Sequence, residues 1–212
     1  MRVLLVAGGS MLHWPELANH YDAYIGIDRG GLFLLEKGYP LDVAIGDFDS
    51  LNSLEKANVF EQAKKVVTAP AEKDETDTQL ALSFALEYYP KATIEMIGMT
   101  GGRIDHFLSN LWMVLEPRFY PHSAQFVIRD RQNTVTYLSP GEHQVKQILG
   151  MQYLAYCCLT PIVNLTLTDS KYTLDQVAIL YPTSLASNEF TEKPARISFD
   201  QGMIAVIQSK DE

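Results

Sequence analysis

Residues 42–50 read DVAIGDFDS, in which an apolar run is followed directly by the two aspartates Asp47 and Asp49. A short apolar run that ends in turn residues is typical of a buried strand. Glycine, aspartate and serine are common in turns, so a simple turn is the plainest explanation of the acidic residues. The alternative is a functional pair of carboxylates at the end of a strand, and the rest of the sequence favours it.

The first 130 residues alternate between strand-like and helix-like segments. Strands are predicted at residues 2–7, 24–27, 43–45, 65–68, 93–97 and 125–128. Helices are predicted at residues 31–37, 54–63, 78–88 and 106–115, of which 78–88 shows the clearest helical spacing of apolar residues. This alternation predicts an α/β fold, namely a doubly wound, mostly parallel sheet with helices on both faces.

The pattern changes after residue 130, where short β-rich runs separated by turn clusters replace the helical segments. Strands are predicted at residues 134–138, 152–159, 165–168, 196–199 and 203–208. A series of short strands without helical periodicity is typical of a β-sandwich. We therefore expect two domains, an α/β domain over residues 1–130 and an all-β sandwich over residues 131–212.

The composition restricts the classes of function. The chain has 17 basic and 26 acidic residues, a net charge of −9 and no basic cluster, which argues against nucleic-acid binding. No apolar run approaches the roughly 18 residues of a membrane span, and the apolar N-terminal segment is interpreted as a strand rather than a signal peptide. We therefore expect a cytoplasmic protein that binds neither nucleic acid nor membranes. The adjacent Cys157 and Cys158 lack a zinc-binding pattern and are expected to be buried free thiols.

Unusual polar residues follow five of the predicted strands. In a parallel sheet the carboxyl ends of the strands meet at one edge, and ligands of open α/β sheets bind there. Each group of residues could be an isolated turn, but five groups at one edge are difficult to attribute to turns alone. The five segments are AGGS at 7–10, DRGG at 28–31, GDFDS at 46–50, APAEKDETDT at 69–78 and GMTGGRIDH at 98–106.

The acidic residues in these segments are spaced as metal ligands would be. Asp47 and Asp49 point to the same side if the backbone after Ile45 stays extended. Asp74 and Asp77 lie three residues apart at a predicted helix start, where acidic residues are also favourable for electrostatic reasons alone. Four carboxylates in one cleft require a cation, and their oxygens are ligands suited to Mg²⁺.

Glycines near basic residues indicate a site for phosphate groups. Glycine lets a backbone approach an anion closely, and the guanidinium of Arg103 can pair with two phosphate oxygens. Lys73 is a second candidate cation, although a solvated surface lysine is an equal alternative. The chain contains neither the P-loop sequence nor a complete G-x-G-x-x-G after the first strand, which argues against P-loop and nicotinamide-binding enzymes.

Taken together, these motifs resemble those of the thiamine pyrophosphokinase family. The resemblance spans nearly the whole chain and is carried by IGIDRGG, DVAIGDFDSL, AEKDETDTQLAL, IGMTGGRIDHFLSNL, LTLTDSKYTL and LASNEF. It implies an N-terminal domain that binds ATP and Mg²⁺, a C-terminal β-sandwich for thiamine binding and dimerisation, and a homodimer with active sites between subunits. The implied reaction transfers the terminal pyrophosphoryl group of ATP to the hydroxyethyl oxygen of thiamine, giving thiamine diphosphate and AMP.

The resemblance also implies roles for individual residues. Those implied for the metal site are Asp47, Asp49, Asp74 and Asp77, and those implied for catalysis are Asp49, Asp77 and Arg103. Those implied for ATP and its phosphates are Gly8, Gly9, Asp28, Gly30, Lys73, Gly102 and Arg103. Those implied for thiamine are Asp105 and, from the other subunit, Ser187 and Asn188.

The sequence departs from the family pattern in the expected thiamine pocket. Animal members place a tryptophan in the last strands, whereas the corresponding stretch here reads MIAV at residues 203–206, so an aliphatic or a methionine wall is the expected replacement for the ring. No general base is evident, and Asp47, Asp49 or Asp105 could serve. Two other functions remain open: a Mg²⁺-dependent phospho- or pyrophosphotransferase for a different heteroaromatic alcohol, and a non-catalytic module that senses thiamine or nucleotide.

Overall fold

The computed structural model describes residues 1–68 and 74–211, and the chain divides into two compact units. The first unit comprises Met1–Met113 and Val127–Arg131, and the second comprises Val114–Phe126 and Gln132–Glu212. Residues 114–126 therefore group with the second unit, whereas the sequence analysis placed them in the first domain. The functional division into residues 1–130 and 131–212 stays a prediction.

A sheet of six strands forms the centre of the first unit. The strands are β1 (Arg2–Val6), β2 (Ala23–Ile27), β3 (Val43–Gly46), β4 (Lys65–Thr68), β5 (Thr93–Ile97) and β6 (Phe126–Arg129). They lie in the order β6-β5-β1-β2-β3-β4, and the neighbouring strands from β5 to β4 are parallel. The helices between them are α1 (Arg29–Glu36), α2 (Ser53–Gln62), α3 (Asp77–Tyr88) and α4 (Ile104–Trp112). This arrangement confirms the predicted α/β fold with a mostly parallel sheet.

The central strands of this sheet are buried along almost their whole length. Every residue of β2 is buried, as is every residue of β1 after Arg2, which is the pattern of parallel strands covered on both faces. Leu32 and Leu34 of α1 belong to the same apolar core as Leu4 and Val6 of β1. This packing fixes the carboxyl ends of the strands, and therefore the loops that follow them, at one edge of the sheet.

Two antiparallel arrays of four strands form the second unit. The strands are β7 (Asn133–Leu138), β8 (Gly141–Val145), β9 (Tyr153–Cys158), β10 (Ile162–Thr168), β11 (Leu174–Ile179), β12 (Thr183–Glu189), β13 (Ala195–Phe199) and β14 (Ile204–Ser209). They are ordered β12-β9-β14-β7 in one array and β11-β10-β13-β8 in the other. Tyr156 of β9 shares an apolar core with Leu165 of β10 and Ile197 of β13, so the two arrays pack as the predicted β-sandwich.

The structure also bears on two expectations drawn from composition. Within the described part of the chain, no helix combines the length and the apolar character needed to cross a bilayer. Both cysteines are free; Cys158 is buried and Cys157 is half-buried. Burial raises the pKa of the Cys158 thiol to about 11, which makes it a poor nucleophile.

Candidate active site

A cleft of about 820 Å³ opens at the carboxyl ends of the strands in the first unit. All five polar segments that follow the predicted strands contribute residues to its lining. The polar residues that follow the strands therefore gather at this edge of the sheet, and their roles in binding stay predictions. The candidate site residues that line the cleft are Gly8, Gly9, Asp28, Asp77, Gly102, Arg103 and Asp105.

Three carboxylates from three different loops converge at this edge. One oxygen each of Asp28, Asp47 and Asp77 lies within 4.8 Å of the other two, and all three residues are half-buried. Asp28 follows β2, Asp47 follows β3, and Asp77 is the first residue of α3. Carboxylate oxygens at this spacing form a donor set that suits a hard divalent cation such as Mg²⁺. We refer to these residues as the three-carboxylate group.

Local sequence explains why Asp77 begins a helix at this place. The hydroxyl of Thr76 accepts a hydrogen bond from the N–H of Gln79 at 3.2 Å, and the Gln79 side chain accepts one from the N–H of Thr76 at 2.6 Å. This reciprocal capping box satisfies two backbone donors that the first turn of a helix leaves without partners. The cap therefore fixes the start of α3, and with it the Asp77 carboxylate, against the other two loops.

Asp28 occupies a backbone conformation that residues other than glycine seldom adopt, with φ 48° and ψ −120°. Its carboxylate accepts a hydrogen bond from the N–H of Phe48 at 3.1 Å, which ties the loop after β2 to the loop after β3. A Cβ atom at Gly46 would lie only 1.9 Å from Asp28 Oδ1. The glycine before Asp47 is therefore required to make room for the carboxylate of Asp28.

The electrostatics of the three-carboxylate group favour a cation. Burial raises the pKa of the Asp28 carboxyl to about 6, and the charge of Asp77 is the next largest cause. The charges of Asp47 and Asp49 raise this pKa further, whereas the hydrogen bond from the N–H of Phe48 lowers it. These carboxylates repel one another, and a divalent cation among them would remove that repulsion. The residues present therefore fit Mg²⁺.

Asp49 and Asp74, which were also predicted to bind the metal, are exposed and lie outside the three-carboxylate group. Asp47 and Asp49 would point to the same side only if the backbone after Ile45 were extended. Phe48, between them, has φ 60°, so the backbone is not extended there. The N–H of Asp49 donates to the Asp47 carboxylate at 3.0 Å, so Asp49 holds the loop through its backbone. The direct metal-binding roles of Asp49 and Asp74 stay predictions.

The four candidate phosphate-binding glycines differ in their surroundings. A Cβ atom at Gly30 would lie 1.9 Å from the carbonyl oxygen of Val6, and one at Gly9 would lie 2.3 Å from that of Gly98. These two glycines therefore serve close packing of the backbone. Gly8 and Gly102 line the cleft and have no backbone atom near their Cβ positions, which leaves them accessible to a ligand. Lys73, another phosphate-binding candidate, lies outside the described residues.

Arg103 and Asp105 form an ion pair with each other at the start of α4. The guanidinium donates to both carboxylate oxygens, at 2.6 and 3.2 Å. The pairing raises the pKa of Arg103 and lowers that of Asp105. Both side chains are more than half exposed and line the cleft, so the pair can separate at little cost in free energy.

Ser187 and Asn188, the predicted thiamine contacts from the other subunit, occupy different environments on β12. Ser187 is exposed and has φ 59° at an irregularity of the strand. Asn188 is buried, and its side chain hydrogen-bonds to Ser170, Tyr172 and the N–H of Glu189. These bonds use both N–H donors and both acceptor positions of the Asn188 amide, which therefore stabilises the local turn.

The stretch expected to replace the stacking tryptophan is buried. Met203, Ile204, Ala205 and Val206 are each at most 1% exposed, and Ile204 and Val206 belong to the core of the second unit. These side chains are enclosed within the described chain, and the aliphatic or methionine wall in the thiamine pocket stays a prediction.

Residues to which the sequence assigned no role hold the loops of the cleft in place. The Thr100 hydroxyl donates to the buried Asp130 carboxylate at 2.7 Å, and the Asn110 side chain donates to the carbonyl of Met99 at 3.4 Å. Asp130 directly follows β6, so the rule that pointed to the other strand ends could also have found it. Arg29, next to Asp28, is a further cleft residue that received no role.

Comparisons with known proteins are consistent with this geometry. The family model described as thiamin pyrophosphokinase, catalytic domain, matches residues 14–128, and the model described as thiamin pyrophosphokinase, vitamin B1 binding domain, matches residues 142–204. The first match covers more than half of the chain and contains the three-carboxylate group.

Individual relatives extend the similarity over the whole chain. The thiamine pyrophosphokinase of Bacillus subtilis is 34% identical over 212 residues, which is 98% of each chain. The crystal structure of a thiamin pyrophosphokinase family protein from Enterococcus faecalis superposes with a TM-score of 0.98 at 55% identity, covering 100% of both chains. The crystal structure of the Bacillus subtilis enzyme gives a TM-score of 0.87 at 33% identity, again over 100% of both chains. On these grounds the chain belongs to the thiamin pyrophosphokinase family.

Proposed function

We propose that this chain transfers the terminal pyrophosphoryl group of ATP to the hydroxyethyl oxygen of thiamine, releases AMP, and uses Mg²⁺ as its cofactor. Membership of the family makes the chain an enzyme and supports ATP-dependent pyrophosphorylation of thiamine as its activity. The observation that carries the metal assignment is the convergence of the three-carboxylate group within 4.8 Å, at the edge of the sheet where the cleft opens.

The chemistry of the proposal divides between the cation and the chain. Asp28, Asp47 and Asp77 would hold a divalent cation, which would supply positive charge to neutralise the negative charge that develops on the phosphate groups as AMP leaves. Gly8 and Gly102 offer main-chain N–H groups to phosphate oxygens, because nothing of the backbone blocks their approach. The exposed guanidinium of Arg103 exchanges its pairing with Asp105 for phosphate oxygens. Asp49, whose charge acts on Asp28, provides further negative charge beside the metal site, and Asp74 is retained as a proposed metal ligand.

Thiamine binding and assembly form a second part of the proposal. Asp105, released by Arg103, accepts a hydrogen bond from the aminopyrimidine of thiamine, and Ser187 of a second copy of the chain completes that contact. The chain acts as a cytoplasmic homodimer with its active sites between subunits. This part is supported by the resemblance of the acceptor-side motifs, by the position of Asp105 in the cleft and by the vitamin B1 binding match at residues 142–204.

Product identification tests the reaction. Purified protein is incubated with thiamine, ATP and Mg²⁺, and the adenylate and thiamine products are identified by mass spectrometry. We expect AMP and thiamine diphosphate in equal amounts. Formation of ADP and thiamine monophosphate would instead show transfer of a single phosphoryl group and would overturn the proposed reaction. Absence of any product with thiamine would favour the sensing module or a different heteroaromatic alcohol as acceptor.

A matched pair of variants tests the role of the three-carboxylate group. Asp77→Asn removes one charge from the group and keeps a residue of the same size, so we expect a loss of roughly 10³-fold in kcat/KM. Asp175→Asn removes an exposed charge from β11 and serves as the control with unchanged turnover. Equal activity of the two variants at saturating Mg²⁺ would contradict the metal assignment.

A further inference from the structure

Arg29 lines the cleft, but its guanidinium is engaged by the protein itself. Its Nη1 and Nη2 atoms pair with the two carboxylate oxygens of Glu55 at 3.3 and 3.2 Å. Nη2 also donates to the main-chain carbonyl of Ser50, at the end of the GDFDS loop. The side chains of Arg29 and Glu55 are 32% and 27% exposed, so both are half-buried.

Glu55 connects this contact to the start of α2. Its carboxylate accepts a hydrogen bond from the N–H of Asn52 at 2.9 Å. The Asn52 side chain in turn accepts from the N–H groups of Leu54 and Glu55, both at 3.0 Å. Glu55 therefore closes the capping box of α2 and receives Arg29 with the same carboxylate. The helix start, the end of the loop and Arg29 form one connected set of hydrogen bonds.

Asp28 and Arg29, which are consecutive in the chain, therefore each form a hydrogen bond with the loop after β3. Asp28 accepts a hydrogen bond from the N–H of Phe48 at 3.1 Å, and Arg29 donates to the carbonyl of Ser50. Asp47 lies immediately before the first of these contacts. The position of Asp47 relative to Asp28 is therefore set by the Asp28 carboxylate and also by Arg29, a residue outside the three-carboxylate group.

We propose that Arg29 and Glu55 are positioning residues for the divalent-cation site: together they hold the GDFDS loop so that Asp47 stays within reach of Asp28 and Asp77. This inference rests on the proposed function. Arg29 does not need to touch the cation or the nucleotide in this role. Groups that orient metal ligands in this way typically contribute 10- to 100-fold to metal affinity.

The test measures binding of Mn²⁺ alone, by the electron paramagnetic resonance signal of the free ion, to the full chain. Arg29→Lys keeps the positive charge but cannot hold both Glu55 oxygens and the Ser50 carbonyl with a planar fork. Glutamine can close a capping box as glutamate does, so Glu55→Gln keeps the cap of α2. The substitution removes only the negative charge that pairs with Arg29. We expect each variant to bind Mn²⁺ about 10-fold more weakly than the wild type, and to need more Mg²⁺ for half-maximal turnover while kcat at saturating Mg²⁺ changes less.

The control is Lys64→Gln, which removes a different ion pair of the same unit. Lys64 pairs with Asp42 at 2.7 Å, where β3 and β4 begin, at the opposite end of the strands from the cleft. We expect its Mn²⁺ dissociation constant to equal that of the wild type. The double variant of Arg29→Lys with Glu55→Gln should bind Mn²⁺ no more weakly than either single variant, because both changes break the same contact.

Several outcomes would overturn this inference. The first is an Mn²⁺ dissociation constant within about twofold of the wild-type value in both single variants. The second is a double variant in which the losses of Mn²⁺ binding free energy seen in the two single variants add together. Loss of folding in both single variants would show that the pair stabilises the fold as a whole. Weaker binding of metal-free ADP with unchanged Mn²⁺ binding would make Arg29 a nucleotide contact instead. If the wild type binds Mn²⁺ and Asp77→Asn does not, the proposed metal site stands regardless of the result for Arg29.

Discussion

Replacement of Asp28 by asparagine removes one charge from the three-carboxylate group and leaves its size and hydrogen-bond acceptor in place. In the metal-free protein the pKa of Asp28 is raised from 3.8 to about 6, mainly by burial and by the charge of Asp77. The folded chain therefore holds this proton more tightly than the unfolded chain does. Stability contributed by the protonated carboxyl is fully present below about pH 4 and is lost as the pH rises through about 6.

The size of the effect follows from the shift. A shift of about two pKa units corresponds to about 3 kcal/mol at most, and solvent access to this half-buried group reduces the expected value to about 1–2 kcal/mol. Asparagine behaves as a permanently neutral carboxyl. Asp28→Asn should therefore match the wild type in free energy of unfolding near pH 4 and exceed it by about 1–2 kcal/mol above pH 6.5, in the absence of metal.

The assay is urea unfolding of both proteins in EDTA between pH 4 and pH 7.5, followed by the same series with saturating Mn²⁺. Taking the difference in free energy of unfolding between the two proteins cancels the contributions of the other groups that titrate in this range and leaves that of Asp28. Mn²⁺ should reverse the order at neutral pH, because it stabilises the folded wild type by binding and binds the variant more weakly. A difference that does not change with pH, or a wild type that is more stable than the variant in EDTA at pH 7, would refute the reasoning.

Three further substitutions test other parts of the structure. Gly46→Ala should lower stability by about 1–3 kcal/mol and abolish Mn²⁺ binding, since its Cβ would lie 1.9 Å from Asp28 Oδ1; retained binding in a titration would contradict this. Glu95→Gln should lower the free energy of unfolding in urea by about 2–3 kcal/mol. The Glu95 carboxylate is 3% exposed and accepts hydrogen bonds from two arginines and a tyrosine. The activity of the folded fraction should stay unchanged. Asn188→Ala should lower the free energy of unfolding by about 2 kcal/mol, measured by thermal unfolding, because the hydrogen bonds of the amide are lost. Unchanged stability with a raised KM for thiamine would instead support the predicted thiamine contact.

The location of the site could be predicted from the sequence because it depends on a simple property of the fold. Parallel strands that alternate with helices place all their carboxyl ends at one edge, so Asp28, Asp47 and Asp77 were expected at the same edge. Which acids meet there was harder to predict. Phe48 is in the left-handed conformation and its N–H donates to Asp28, a residue 20 positions away, and no local sequence pattern predicts such a contact.

The strands that sequence analysis missed share a physical explanation. β8, β11 and β12 lie at the edges of their arrays, where one side of the strand has no neighbour. Only Val145 and Asn188 among their residues are buried, so the alternation of apolar and polar side chains that marks a half-buried strand is weak. The inner strands β9, β13 and β14 have buried residues in regular positions and were predicted within one or two residues.

Asn188 illustrates a limit of motif-based assignment. An asparagine beside an exposed serine is consistent with ligand binding, and equally with the stabilisation of a turn through its own amide. The structural role comes from contacts with Ser170 and Tyr172, 16 to 18 residues earlier in the chain, and the thiamine role of Asn188 stays a prediction. Gly30 is a similar case. A side chain at this position would collide with the carbonyl oxygen of Val6 in β1, so the close packing of β1 already explains the glycine without a ligand.

The most direct measurement is a crystal structure of the protein grown with Mn²⁺ and a non-hydrolysable ATP analogue, examined by anomalous scattering at the manganese edge. We predict an anomalous peak among the Asp28, Asp47 and Asp77 carboxylates, at coordination distance from oxygens of at least two of them and from the phosphates of the analogue. A peak held only by phosphates, or one located away from these three residues, would contradict the account.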